Sequence, residues 1–135
     1  MEADLYFDGA SKGNPGQSGV GVRIIDTNQR KTICEKSIYI GHATNNVAEY
    51  MGLVNGLEIA QKMNINKINI FSDSLLVVNH INGKYKISNS RLKPLYDRSI
   101  ELLNLFGNGY TITHIPRAQN SRADELANKA VTREN

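Results

Sequence analysis

The chain has 135 residues, 40% of them hydrophobic and 21% charged, with a formal net charge of +3. That length and mix suit a single folded domain over residues 1–135 with one core, and exclude a disordered chain. No apolar run approaches the length that spans a bilayer, and MEADLYF lacks a basic stretch leading into a long apolar one, so a cytoplasmic protein is expected.

Three strands open the chain, at about Ala3–Asp8, Gly19–Asp26 and Lys31–Ile40. VGVRI alternates as a half-buried strand does, and Asp26, Asn28 and Gln29 supply a turn before the third strand. Between the first two, DGASKGNPG reads as a loop rich in turn formers. A helix follows from about Val47 to Met63, with Val47, Met51, Val54 and Leu57 on one stripe. Gly52 and Gly56 on that helix permit close packing on a sheet. KINIFSD is a fourth strand ending in Asp73, and a short helix from about Ser74 stops at Asn82-Gly83. A longer helix covers about Asn89–Phe106, TITHI makes a fifth strand, and a last helix runs from about Ser121 to Val131. The tail, 132–135, is expected to fray. A meander followed by strands alternating with helices predicts an α/β fold: a five-stranded mixed sheet, three antiparallel strands then two parallel, flanked by helices.

The single cysteine, Cys34, permits no internal disulfide and reads as a strand residue. Lys84, Lys86, Arg91, Lys93 and Arg98 crowd GKYKISNSRLKPLYDR, which is either a phosphate-facing patch or a solvated surface.

Four acids mark element boundaries: Asp8 and Asp73 at strand ends, Glu49 and Asp124 in first helical turns. Each alone has an ordinary explanation. Asp8 can start a turn, Asp73 can cap a helix, and Asn46/Glu49 and Ser121/Asp124 match capping boxes. Together they fall where strand ends and helix starts adjoin one sheet edge, the usual place for a site in an open α/β sheet. Converging carboxylates repel unless compensated, and hard divalent cations such as Mg²⁺ take oxygen ligands of this kind. Two such ions can activate a water and stabilise a leaving oxygen in phosphodiester hydrolysis. Ser11 and Asn14 offer hydrogen bonds beside a glycine-rich backbone, and Thr44, Asn45 and Asn46 sit at a helix N-terminus that favours phosphate.

DGASKGNPG, TNNVAEYMGL, SDS before an apolar helix, and NSRADELANKA, in that order, resemble a type 1 ribonuclease H over nearly the whole chain. The resemblance implies a ribonuclease H-like fold and endonucleolytic hydrolysis of the RNA strand of RNA–DNA hybrids, leaving 5′-phosphate and 3′-hydroxyl ends. It implies two Mg²⁺ or Mn²⁺ ions held by Asp8, Glu49, Asp73 and Asp124. It also implies hybrid contacts from Ser11, Gly13, Asn14, Thr44, Asn45 and Asn46. Double-stranded RNA is a second candidate substrate, because A-form shape is recognised with little base reading. A monomer suffices, and no membrane partner is expected. Three departures stand out. IPRAQNSRAD lacks the loop histidine of many members, leaving Arg117 as the substitute catalytic cation, while His114 reads as an inward-facing structural residue. The chain has no tryptophan and only a short basic segment. Leu75 follows SDS where a polar residue is common. A weakly active or inactive hybrid-binding module of the same fold is the alternative function.

Overall fold

In the computed structural model, which describes residues 1–134 and the side chains of residues 1–132, the chain begins as three antiparallel strands. These are β1 (Glu2–Gly13), β2 (Gly16–Asp26) and β3 (Lys31–Ala43). β1 and β2 pair without a break from Ala3↔Asp26 to Gly13↔Gly16. DGASKGNPG is therefore strand as far as Gly13 rather than a loop after Asp8. Its glycine and serine are weak strand formers, but a continuous ladder to β2 outweighs local propensity.

β4 (Lys67–Ser72) joins β1 in parallel and β5 (Tyr110–His114) joins β4, completing the order β3-β2-β1-β4-β5. The mixed sheet expected from the sequence is present. Around it lie α1 (Asn45–Lys62), α2 (Leu75–Ile81), α3 (Lys93–Leu103) and α4 (Ser121–Glu134), the last entered through a 3₁₀ turn at Arg117–Asn120.

Alternation along β1 sorts the two faces. Ala3, Leu5 and Phe7 are fully buried, with Gly56 of α1 against Leu5 and Gly52 against Phe7. Leu53 and Leu57 of α1, Ile68 and Ile70 of β4, and Leu102 and Leu103 of α3 extend this core. A buried hydrogen bond of 2.6 Å between Tyr50 Oη and His80 Nδ1 ties α1 to α2. Burial also pushes the His80 imidazole below its ordinary pKa. The opposite face of the hairpin is covered by α4, which packs on β2, β1 and β3 and buries Ala123, Leu126, Ala127, Ala130 and Val131.

Several boundaries differ from the sequence reading. The third helix starts at Lys93 rather than Asn89. The Asn89 side chain accepts from the Arg91 and Leu92 amides, which holds that stretch in a turn, and Pro94 then sets the first helical turn. α4 carries helical backbone through Glu134, where fraying was expected, and Asn135 lies outside the described residues. His114 is exposed rather than inward-facing: β5 is an edge strand whose single buried residue is Ile112. Among the described residues, no helix is long and apolar enough to cross a membrane.

Candidate active site

The site opens where two strands part. Parallel pairing of β1 with β4 ends at Tyr6↔Phe71. Asp8 follows on β1, still inside the strand, and Asp73 follows the last residue of β4.

Glu49 reaches the same place from α1. Thr44, not Asn46, caps this helix, its Oγ1 accepting from the Val47 amide at 3.2 Å. Glu49 is thus the fifth residue of α1, two positions deeper than an Asn46 cap would place it and past the first turn, and no capping box occupies it. Its Oε1 instead accepts the Gly9 amide at 2.6 Å, while Asp8 Oδ1 lies 3.0 Å from the same nitrogen. Glycine is required at that point. A Cβ on Gly9 would stand 2.3 Å from the Ala48 carbonyl carbon and 2.5 Å from the Glu49 nitrogen.

The cap on α2 is Ser74, accepting from Val77 N at 3.4 Å, which frees Asp73 from that duty. Asp73 Oδ1 accepts from Asn120 Nδ2 at 2.9 Å. Asp124, in the first turn of α4 as expected, is brought in by close packing of that helix on β2. Gly21, which pairs with Asp8, has space for no side chain: its Cβ would lie 2.1 Å from the Ala123 carbonyl oxygen. Asn128, one turn on, donates to Asp124 Oδ1 at 3.2 Å.

Carboxylate oxygens of Asp8, Glu49 and Asp73 lie within 4.8 Å of one another. Asp124 stands outside that triplet but lines the same cleft, of about 370 Å³, with Ser11, Asn45, Asn46, Arg117 and Asn128. Burial first, and then the Glu49 charge, pushes the Asp8 carboxyl up to about 10. Glu49 is likewise raised by burial, against the opposing effect of hydrogen bonds from Asp8 and the Gly9 amide. Without compensating charge, burial and mutual repulsion disfavour full ionisation of the pair. An oxygen-only donor set whose ionised form needs compensating charge fits a hard divalent ion. Arg117 brings positive charge no nearer than its 3.8 Å approach to Asp124 Oδ1, and its side chain is 80% exposed.

The other expected contacts divide in two. Ser11, whose hydroxyl donates to the Ala43 carbonyl at 2.9 Å, lines the acidic cleft with Asn45 and Asn46. Asn14 Oδ1 accepts the Asn45 amide at 3.0 Å, joining the hairpin tip to α1. Asn14, Thr44 and Asn46 line an adjoining polar cavity of about 260 Å³, together with Asn89 and Arg91. Gly13 lines neither, and its φ of 95° shapes the tip. Of the basic segment, only Arg91 lines that cavity. Lys93 pairs with Asp97, and Arg98 with Glu58 and Glu101. Leu75 lies half exposed beside Ser74. Asn89, Asn120 and Asn128 were not singled out from the sequence. Only Asn128 carried a signal, its helical i+4 spacing from Asp124.

Fold and cleft together define an α/β protein with an acidic, oxygen-lined site at diverging strands, and residues 6–130 match the family described as reverse transcriptase-like. The chain is 41% identical over 126 residues to the ribonuclease HI of Halobacterium salinarum, a match spanning 93% of this chain and 62% of that one. The crystal structure of RNase H1 from that archaeon superimposes with a TM-score of 0.94 at 39% identity, covering 98% of each chain. LC11-RNase H1, solved in complex with an RNA/DNA hybrid, gives a TM-score of 0.92 at 36% identity, again over 98% of each. A bifunctional protein of Mycobacterium tuberculosis is 37% identical over 131 residues, 97% of this chain but only 36% of its own length. The chain thus spans about a third of the mycobacterial relatives it matches. It belongs to the type 1 ribonuclease H family.

Proposed function

We propose that this chain is an endoribonuclease that hydrolyses the RNA strand of RNA–DNA hybrids, leaving 5′-phosphate and 3′-hydroxyl ends. The observation that carries the reading is the gathering of Asp8, Glu49 and Asp73 oxygens within 4.8 Å of one another, at a cost in repulsion and desolvation that a bound cation relieves. Asp8, Glu49, Asp73 and Asp124 would hold two Mg²⁺ or Mn²⁺ ions, which when bound supply activation of the attacking water and stabilisation of the leaving 3′-oxygen.

The chain's own residues do the rest. The Gly9 amide orients Glu49 and Asp8, and Asn128 orients Asp124. Ser11, Asn45 and Asn46 stand along the cleft where hydroxyl and amide groups can meet ribose 2′-hydroxyls, the feature that separates RNA from DNA. The neighbouring cavity, with Asn14, Thr44, Asn89 and Arg91, offers amide donors and one cation to a backbone phosphate further along the duplex. Arg117 swings from Asp124 to the scissile phosphate, where it offsets the charge that develops in the transition state. The similarity to LC11-RNase H1, solved with an RNA/DNA hybrid, supports the choice of substrate.

The test is cleavage of an end-labelled hybrid by the purified chain with Mg²⁺, Mn²⁺ or chelator, beside double-stranded RNA and DNA duplexes. Cation-dependent cuts within the RNA of the hybrid, with 5′-phosphate ends, are expected. Binding without cleavage in either metal would make the chain a hybrid-binding module instead. Equal cutting of double-stranded RNA would widen the substrate to A-form duplexes.

A further inference from the structure

We infer that Asn120 is a positioning residue that sets the Asp73 carboxylate for cation binding, an inference that rests on the cation-site reading above. Asn120 is the last residue of the 3₁₀ turn and is only 2% exposed. Its Nδ2 donates twice, at 2.9 Å to the Phe7 carbonyl and at 2.9 Å to Asp73 Oδ1. Phe7 lies one residue beyond the end of the β1–β4 ladder and one before Asp8. The amide therefore takes over where strand pairing stops. It links β1, just before Asp8, to Asp73, just past β4, from the segment that leads into Asp124.

Both partners are pure acceptors when Asp73 is ionised, so the amide has a single usable orientation. A flip would set oxygen against oxygen on both sides. In the orientation used, Asn120 Oδ1 is buried with no partner. An orphaned buried acceptor is ordinarily avoided in a fold. Its tolerance here means that the two donated bonds outweigh it. A hydroxyl would supply one donor instead of two, and an aspartate in the same shape would supply none while facing Asp73. Asn120 touches no substrate in this account and acts through Asp73.

The test compares wild type, Asn120→Ala, Asp73→Asn and the double variant by calorimetric Mn²⁺ titration, with hybrid kcat and KM measured alongside. Groups that orient a metal ligand typically affect affinity about 10–100-fold. We expect Asn120→Ala to weaken Mn²⁺ binding within that range and lower kcat, with KM for the hybrid within about twofold. On the Asp73→Asn background, the Asn120 change should add no further loss of Mn²⁺ affinity. If Asn120→Ala unfolds, Asn120→Ser, which keeps one donor, should fold and fall between the two. Unchanged Mn²⁺ affinity in a folded variant overturns the inference, as does an equal loss on both backgrounds, which marks Asn120 as a purely structural tie. Wild type that binds no Mn²⁺ overturns the cation-site reading itself, a different and separately visible failure.

Discussion

Leu5 and Asp8 share one strand and stand in opposite physical settings. Leu5 is fully buried among Leu53, Leu57, Ile24 and Ile70, and every neighbour gains from its presence. Asp8 is almost as deeply enclosed, at 5% exposure, yet its neighbours are Glu49, Asp73 and Asp124, and enclosure makes each charge costlier. The strand is continuous through both. What changes is what the flanking helices present, apolar side chains toward Leu5 and carboxylates toward Asp8. The core holds the backbone so firmly that α1 and α4 can press acids together against their mutual repulsion. Stability generated around Leu5 holds pre-organised charge three residues further along β1.

The largest effect should come from removing a charge from the cleft. Asp8→Asn or Asp73→Asn is expected to lower single-turnover hybrid cleavage by about a thousandfold or more, a loss comparable to that of a key transition-state contact. The same change should raise the melting temperature of the chelator-treated protein, because repulsion is relieved. Wild-type turnover in either variant would contradict the cation-site assignment.

Core damage should do the reverse. Leu53→Ala is expected to cost about 2–5 kcal/mol in denaturant unfolding, while leaving cleavage near normal at temperatures where the chain stays folded. Tyr50→Phe is a smaller core test. It strips the partner from the buried His80 Nδ1 and should cost about 1–3 kcal/mol, read from the same denaturation curves. If either variant abolished cleavage while fully folded, the two regions would not be separable.

Arg117→Ala should have the smallest effect of the set. A drop in kcat of about tenfold with KM little changed is expected if the guanidinium serves the transition state, as judged by steady-state kinetics. A change confined to KM would make it a substrate-positioning contact.

The four acids could be picked out from the sequence because each sits near a boundary that local patterning reveals: a strand period ending, a helical stripe beginning. Their surroundings were less legible. Turn formers in DGASKGNPG concealed that Asp8 lies within a strand, since pairing with β2 is a tertiary effect. Thr44 and Asn46 are both acceptable caps, and only the helix start shows that Thr44 does the work and leaves Glu49 free. Asn120 left no trace. A single amide in a polar loop has no period, charge or spacing to mark it, and its role follows from contacts to residues distant in the chain. His114 was misplaced because alternation in a strand says which residues share a face, not whether that face is covered.

If these carboxylates gather as a cation site, melting temperature must depend on pH and on divalent ion together. Asp8 titrates far higher in the folded chain, near 10, than an unfolded carboxylate does. A raised folded-state pKa stabilises fully at low pH, and that contribution drains away as pH climbs toward the folded value. Chelator-treated wild type should therefore lose melting temperature between about pH 5 and about pH 9 more steeply than Asp8→Asn. Added Mg²⁺ or Mn²⁺ should remove most of that slope by binding the ionised form. Matching profiles for the two proteins, unmoved by either ion, would contradict the account.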